Sequence, residues 1–294
     1  MTEWNVSFGS RKAMRSAVRS YAREQVFLLD RARAEGRFNS PQLGPLGSAL
    51  KTGARWTDEY PAWQKYANEL EALLQFTKAS GQFPQYLGAL QGSNSQRDSA
   101  LEELRVAYHL EQNGFTVTEW RPVGDAGNEG EFMVRGRSNR SVFVEVKSPG
   151  WEGELTVEQR RSGRLNYPKY INGEGGAVGP WERLRFAIDK AYKKFRDDIP
   201  NLLVVADDLF LSLAYGTELH VAMALYSNTQ TGGGYFTDGS HARLGGVGIF
   251  WYDKEIDKEN VGYHMRLFPN PNALQATTLP PDLLEVFRGQ IPLG

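Results

Sequence analysis

The stretch from Glu131 to Lys147, EFMVRGRSNRSVFVEVK, contains two short apolar runs separated by a polar segment. Runs of this length on either side of turn-forming Gly, Ser and Asn residues predict two consecutive β-strands. Side chains alternate between the faces of a strand, so Glu145 and Lys147 lie on one face and Val144 and Val146 on the other. Because charged groups taken out of water must be paired or bind a metal, we expect this strand to carry an ion pair or a reactive site.

Composition excludes several classes of site. The chain has 294 residues, 40% of them hydrophobic and 23% charged, which is ordinary for a globular protein. A formal net charge of -1 gives no general attraction to nucleic acid or membrane, so any attraction must come from local patches. The absence of cysteine excludes disulfides, zinc fingers, iron–sulfur clusters and thiol nucleophiles. Four scattered histidines without metal-ligand spacing disfavour a zinc hydrolase.

No targeting or membrane segment is predicted. The first residues, MTEWNVSFGSRK, lack the apolar core of a signal peptide. The most apolar later stretch, residues 202–215, is interrupted by Asp207 and Asp208. We therefore expect a cytoplasmic protein without a membrane partner.

The polar residues 91–97, QGSNSQR, predict a boundary between two parts of the chain. Residues 1–92 are expected to form a helical N-terminal subdomain for recognition or assembly, and residues 93–294 an α/β domain. Within the first part, an Arg-rich helical segment over residues 11–37 indicates either a phosphate-facing surface or a solvated helix face.

The second part begins with a predicted helix whose start carries a capping-box pattern, Ser99 followed by Glu102. On that helix Glu103 lies on the side of Ala107 and Leu110, whereas Glu102 points away and is explained by capping. The remaining patterns predict strands over 117–123, 130–135 and 141–148, a helix over 181–195, a buried strand over 201–208, further strands within 220–226 and 246–253, and a short helix over 282–288.

This order of elements and acids resembles the PD-(D/E)xK nuclease superfamily over residues 99 to about 208. Glu103 corresponds to the glutamate of the family's first helix, and Glu131 to the aspartate of its PD dipeptide. Glu145, Val146 and Lys147, EVK, correspond to its acid-x-lysine. The resemblance implies an α/β fold with a restriction-endonuclease-like core, in which helices flank a mixed β-sheet, preceded here by the helical N-terminal subdomain.

Two residues depart from the family pattern. Gly130 replaces the proline, and Glu131 is one methylene longer than the usual aspartate. A structural alternative is an internal salt bridge between Lys147 and one glutamate. Three acids around one lysine exceed a simple pair, however, and leave negative charge that a cation would balance.

The resemblance implies metal-dependent hydrolysis of phosphodiester bonds. Oxygen ligands select Mg²⁺ or Mn²⁺, and we expect Glu131, Glu145 and the backbone carbonyl of Val146 to bind the ion. Lys147 is expected to orient the attacking water and stabilise developing charge. Glu103 is expected to complete the shell or help bind a second ion.

The implied partner is nucleic acid, with DNA favoured over RNA and endonuclease action favoured, in phage defence or repair. A homodimer is left open. Two other functions stay open: a catalytically inactive nucleic-acid-binding module of the same fold, and an RNA nuclease switched on by a ligand. Basic residues that could contact phosphates follow the predicted site, namely Arg160, Arg161, Arg164, Lys169, Lys190 and Lys194.

Overall fold

The computed structural model describes residues 69, 72–91, 94–147, 180–206, 221, 224–226, 233–237, 239–253 and 262–287. The chain divides into two compact units. Among the described residues, the first unit holds those up to 104, together with 252–253 and 262, and the second unit holds the others. The predicted boundary at residue 92 stays a prediction.

Between residues 69 and 104, the described part of the first unit is mainly helical. Residues 72–79 form a helix, and α1 spans Phe83–Gln91. The helix α2 spans Asn94–Gln112, and its residues from 105 onward belong to the second unit. Leu73, Leu74 and Leu90 are buried in the first unit. Gly81 has a φ of 73°, which suits the turn between the first helix and α1 because glycine adopts this conformation without a steric cost.

The start of α2 corrects one prediction. The helix begins at Asn94, so Ser99 lies inside it rather than at its N-cap. The capping interpretation of Glu102 is therefore wrong, and so is its predicted outward direction, because Glu102 is 2% exposed. Residues 94–97 of the polar segment 91–97, which the sequence predicted to be a boundary, form the first turn of this helix.

The second unit is built on a six-stranded sheet in the order β1-β2-β3-β4-β5-β6. β1 pairs with β2 and β2 with β3 in antiparallel fashion, whereas β3–β4 and β4–β5 are parallel. The sheet is thus mixed, as predicted. The elements are β1 (Thr116–Trp120), β2 (Phe132–Arg135), β3 (Ser141–Lys147), α3 (Pro180–Tyr192), β4 (Asn201–Ala206), β5 (Gly246–Asp253), β6 (Gly262–Pro269) and α4 (Pro281–Phe287).

Helices cover both faces of this sheet. Leu184 and Ile188 of α3 belong to one buried cluster with Phe143 of β3. On the opposite face, the His109 ring of α2 lies 5.7 Å from the Phe250 ring of β5. All six residues of β4 are buried, as its continuous apolar run predicts for a strand with both faces covered. The α/β class with a flanked mixed sheet is confirmed.

One predicted strand is wrong. Within residues 220–226, the described residues 221, 224 and 225 are helical. Val221, Ala224 and Leu225 are fully buried, and their spacing of three and four residues is that of one helix face. The apolar run alone did not distinguish the two structures. No helix in the described part of the chain is long and apolar enough to cross a membrane.

Candidate active site

The β2–β3 hairpin positions the central acids. Phe132 pairs with Val144, and the backbone N–H of Glu131 donates to the Val144 carbonyl at 3.2 Å. Glu145 shares a strand face with Phe143, whose ring packs in the cluster that contains α3. Glu145 is consequently 0% exposed and Glu131 only 5%. Two carboxylates on neighbouring strand segments are therefore held out of water.

Three cationic side chains neutralise this carboxylate pair, Glu131 and Glu145. Lys147 is paired with Glu145, and Arg121 with Glu131. Lys194 contacts both acids, with its Nζ 2.7 Å from Glu145 Oε1 and 3.9 Å from Glu131 Oε1. We call these five residues the charged cluster. The predicted proximity of Glu131, Glu145 and Lys147 is thus present, with two further cations.

Burial differs between the two signs of charge. The Lys147, Lys194 and Arg121 side chains keep 19%, 24% and 29% of their surface exposed, whereas the carboxylates are buried. Glu145 Oε2 is buried and accepts no hydrogen bond from any residue that the structure describes. Since an unpaired buried oxygen is costly, this atom is available to a cation.

The backbone of Lys194 is fixed by the β1–β2 loop. Its carbonyl accepts the Asp125 N–H at 2.9 Å. A Cβ on Gly124 would lie 2.2 Å from the same carbonyl oxygen, so only glycine allows this close approach. Arg243 binds Asp125 Oδ2 at 2.8 Å and the Phe195 carbonyl at 2.7 Å. The loop and the end of α3 are thereby joined around Lys194.

Gly130, where the resembling family has proline, has a physical reason in this chain. A Cβ at this position would lie 2.2 Å from the Cζ atom of Phe143. The Gly130 N–H also donates to the Pro122 carbonyl at 2.9 Å, and proline has no such donor. The Phe143 ring takes the space that a proline ring would need.

Glu103, the predicted helix acid, is 8% exposed and accepts a hydrogen bond from the Tyr86 hydroxyl at 3.2 Å. Both residues belong to the first unit. No group of three or more His, Asp and Glu side chains that could hold a metal is found among the described residues. The role of Glu103 as a metal ligand stays a prediction.

The oxygen donors of the second unit still fit a hard cation. Glu131 and Glu145 supply carboxylates, and Mg²⁺ is commonly held by one or two of these together with water. The Val144 carbonyl faces Glu131, and carbonyls two residues apart on a strand point the same way, so the Val146 carbonyl faces that side as well. The donor set suits Mg²⁺ or Mn²⁺ once a cation of the charged cluster moves away from the carboxylates.

The predicted phosphate contacts divide into three groups. Lys190 is exposed on α3. Lys194 lies in the turn that follows α3 and contacts the two buried acids of the charged cluster. Four predicted contacts lie outside the described residues, namely Arg160, Arg161, Arg164 and Lys169.

Comparison with known proteins adds no relative. No family model matches the chain, and no curated protein or solved structure matches it either.

Proposed function

We propose that this protein is a metal-dependent nuclease that hydrolyses phosphodiester bonds, with DNA favoured as substrate and endonuclease action favoured. The observation that carries the proposal is the convergence of Glu131, Glu145 and Lys147 on one hairpin, with both carboxylates buried. The order α2, β1, β2, β3, α3, β4 supports it, because it is the order on which the resemblance to PD-(D/E)xK nucleases rests.

Each side chain then has a role. Glu131, Glu145 and the Val146 carbonyl would hold Mg²⁺ or Mn²⁺, which supplies a water of lowered pKa and polarises the scissile phosphate. Lys147 pairs with Glu145 yet remains 19% exposed, so its ammonium can face the reacting phosphate while its stem stays on β3. There it orients the attacking water and stabilises the negative charge that develops.

Replacement of Lys147 tests this proposal. Lys147→Ala should leave folding and DNA binding intact and lower the cleavage rate by about 100-fold or more, the usual effect of removing one charge-stabilising donor. Nicking of supercoiled plasmid is measured with Mg²⁺, with Mn²⁺ and with chelator, and linear duplex, single-stranded DNA and RNA are the other substrates. Lys193→Ala is the matched control, since Lys193 is an exposed lysine at the end of α3. Wild-type cleavage by the Lys147 variant would refute the role.

A second candidate is a catalytically inactive nucleic-acid-binding module of the same fold. The observation in its favour is that three cations already neutralise the two buried carboxylates. The candidates differ in metal affinity. A nuclease should bind Mn²⁺ more tightly than its Glu145→Gln variant does, because the variant lacks a ligand charge. An inactive module should bind Mn²⁺ no better than that variant.

A further inference from the structure

The charged cluster carries one positive charge in excess. Two carboxylates face one guanidinium and two ammonium groups, those of Arg121, Lys147 and Lys194. A divalent ion that joined this arrangement unchanged would meet three cations within contact distance of its ligands. Like charges at such separations repel strongly where burial reduces screening. Metal binding therefore requires that at least one cation withdraws from the carboxylates.

Geometry distinguishes Lys194 from the other two cations. Within the cluster, Arg121 is paired with Glu131 and Lys147 with Glu145. The Lys194 ammonium reaches both, at 2.7 Å from Glu145 Oε1 and 3.9 Å from Glu131 Oε1. A metal ion shared by the two carboxylates must lie between them. Lys194 thus occupies the position that the ion needs.

The Lys194 ammonium can also leave this position without movement of the backbone. Its backbone is held by the Asp125 N–H at 2.9 Å, but the contact that must break involves only the end of a four-carbon stem. The side chain is 24% exposed, so the ammonium has a route to solvent. A flexible stem on a fixed backbone allows the charge to swing without a change in the fold.

We propose that the Lys194 ammonium is an internal cation that holds the place of the divalent ion between Glu131 and Glu145, so that metal binding and release of Lys194 are one exchange. This inference rests on the proposed function. Once displaced, the ammonium lies on the solvent side of the carboxylates, where it can bind a substrate phosphate. That contact is the one predicted for Lys194 from the sequence.

Mn²⁺ titration of matched variants tests the exchange. Lys194→Met removes the charge and keeps most of the stem, and it should bind Mn²⁺ about tenfold or more tightly than wild type because one competing charge is gone. Lys194→Arg keeps a cation and should bind no more tightly than wild type. Lys193→Met is the control for loss of an exposed lysine near the site and should match wild type. Binding is read by calorimetry, without reference to cleavage.

Labelling of the unmodified protein gives an independent test that needs no folded variant. Lysine methylation followed by mass spectrometry should label Lys194 slowly in chelator and severalfold faster in saturating Mg²⁺, because the ammonium leaves its carboxylate partners. Lys190 is exposed and should be labelled at one rate in both conditions. Unchanged or slower labelling of Lys194 in Mg²⁺ would overturn the exchange.

The outcomes separate this inference from the proposed function. Equal Mn²⁺ affinity of wild type and Lys194→Met, with both tighter than Glu145→Gln, refutes the exchange and leaves the metal site standing. Equally tight binding by Lys194→Arg and Lys194→Met also refutes it, because charge would then not be the competitor. If wild type and Lys194→Met both bind Mn²⁺ no better than Glu145→Gln, the metal-dependent function itself fails.

Discussion

Buried His109 makes the stability of the fold depend on pH in a direction that the structure determines. The residue is 9% exposed. Its ring centre lies 5.4 to 5.7 Å from those of Phe250, Tyr263 and Phe287. Burial, followed by the charge of His264, lowers the pKa of His109 from 6.5 to about 4. In the folded protein the imidazole is therefore neutral at pH values where an unfolded chain would protonate it.

The sign and size of the effect follow from this difference. Since the folded pKa of His109 is below the unfolded one, protons favour the unfolded chain as pH falls from 6.5 to about 4. The stability present above pH 6.5 is lost across that window, with a full loss of about 3 kcal/mol. Between pH 7.5 and pH 4.5 we expect about 2 to 3 kcal/mol of this loss, because at pH 4.5 only about a quarter of the folded form carries the proton.

Denaturant unfolding of wild type and His109→Phe from pH 7.5 to pH 4.5 measures the effect. Phenylalanine keeps the ring packing and cannot titrate, so the wild-type free energy of unfolding should fall relative to the variant by about 2 to 3 kcal/mol. Carboxylates that titrate in both proteins cancel in this difference. His264→Gln is a second control and should reduce the dependence, since it removes the charge that helps lower the His109 pKa. A difference that stays constant over this pH range would refute the reasoning.

Two further perturbations test the packing of the hairpin. Gly130→Ala should destabilise the protein by about 1 to 3 kcal/mol, because its Cβ would lie 2.2 Å from the Phe143 ring. Denaturant unfolding measures this loss. If the ring is the obstacle, adding Phe143→Leu to the Gly130→Ala variant should recover part of the lost stability. Asp282→Asn should cost about 1 kcal/mol at pH 7, because Asp282 Oδ2 accepts the Ser138 N–H at 2.8 Å. Burial alone would raise the pKa of Asp282, but the hydrogen bonds from Ser138 and Leu283 outweigh it and lower the pKa. The loss of unfolding free energy in Asp282→Asn should therefore be present above pH 3.8 and disappear as pH falls through the folded pKa of Asp282. Equal stability of wild type and Asp282→Asn at pH 7 would contradict this prediction.

Local patterns predicted the hairpin and the buried strand. Residues 132–135 and 141–147 are two largely apolar runs on either side of a polar turn, and the turn contains Asn139 with a φ of 56°. Such features involve neighbours in sequence, so the sequence is sufficient to predict them. The same reasoning failed at Ser99 and at residues 220–226, because a polar helix start and a short apolar run each fit two structures.

The rest of the site depends on contacts between residues far apart in sequence. Arg243 joins Asp125 across 118 positions, and this contact helps to fix the loop that binds the Lys194 backbone. Arg121 comes directly after β1 and has a φ of 52°, and its guanidinium pairs with Glu131 at the other end of the β1–β2 loop. The hydrophobic periodicity of the sequence does not predict such contacts. The sequence predicted Lys194 only as a possible phosphate contact, and it did not predict the two acids that Lys194 contacts.

The charged cluster also answers a question raised by composition. A formal net charge of -1 gives the whole protein no attraction for a polyanion. The cluster is positive by one charge, and its cations are the partly exposed members while its anions are buried. A phosphate that approaches this place therefore meets positive groups first. If a divalent ion replaces Lys194 between the carboxylates, the charge between them rises by one, so that metal binding and phosphate binding reinforce one another at a site that the total charge does not reveal.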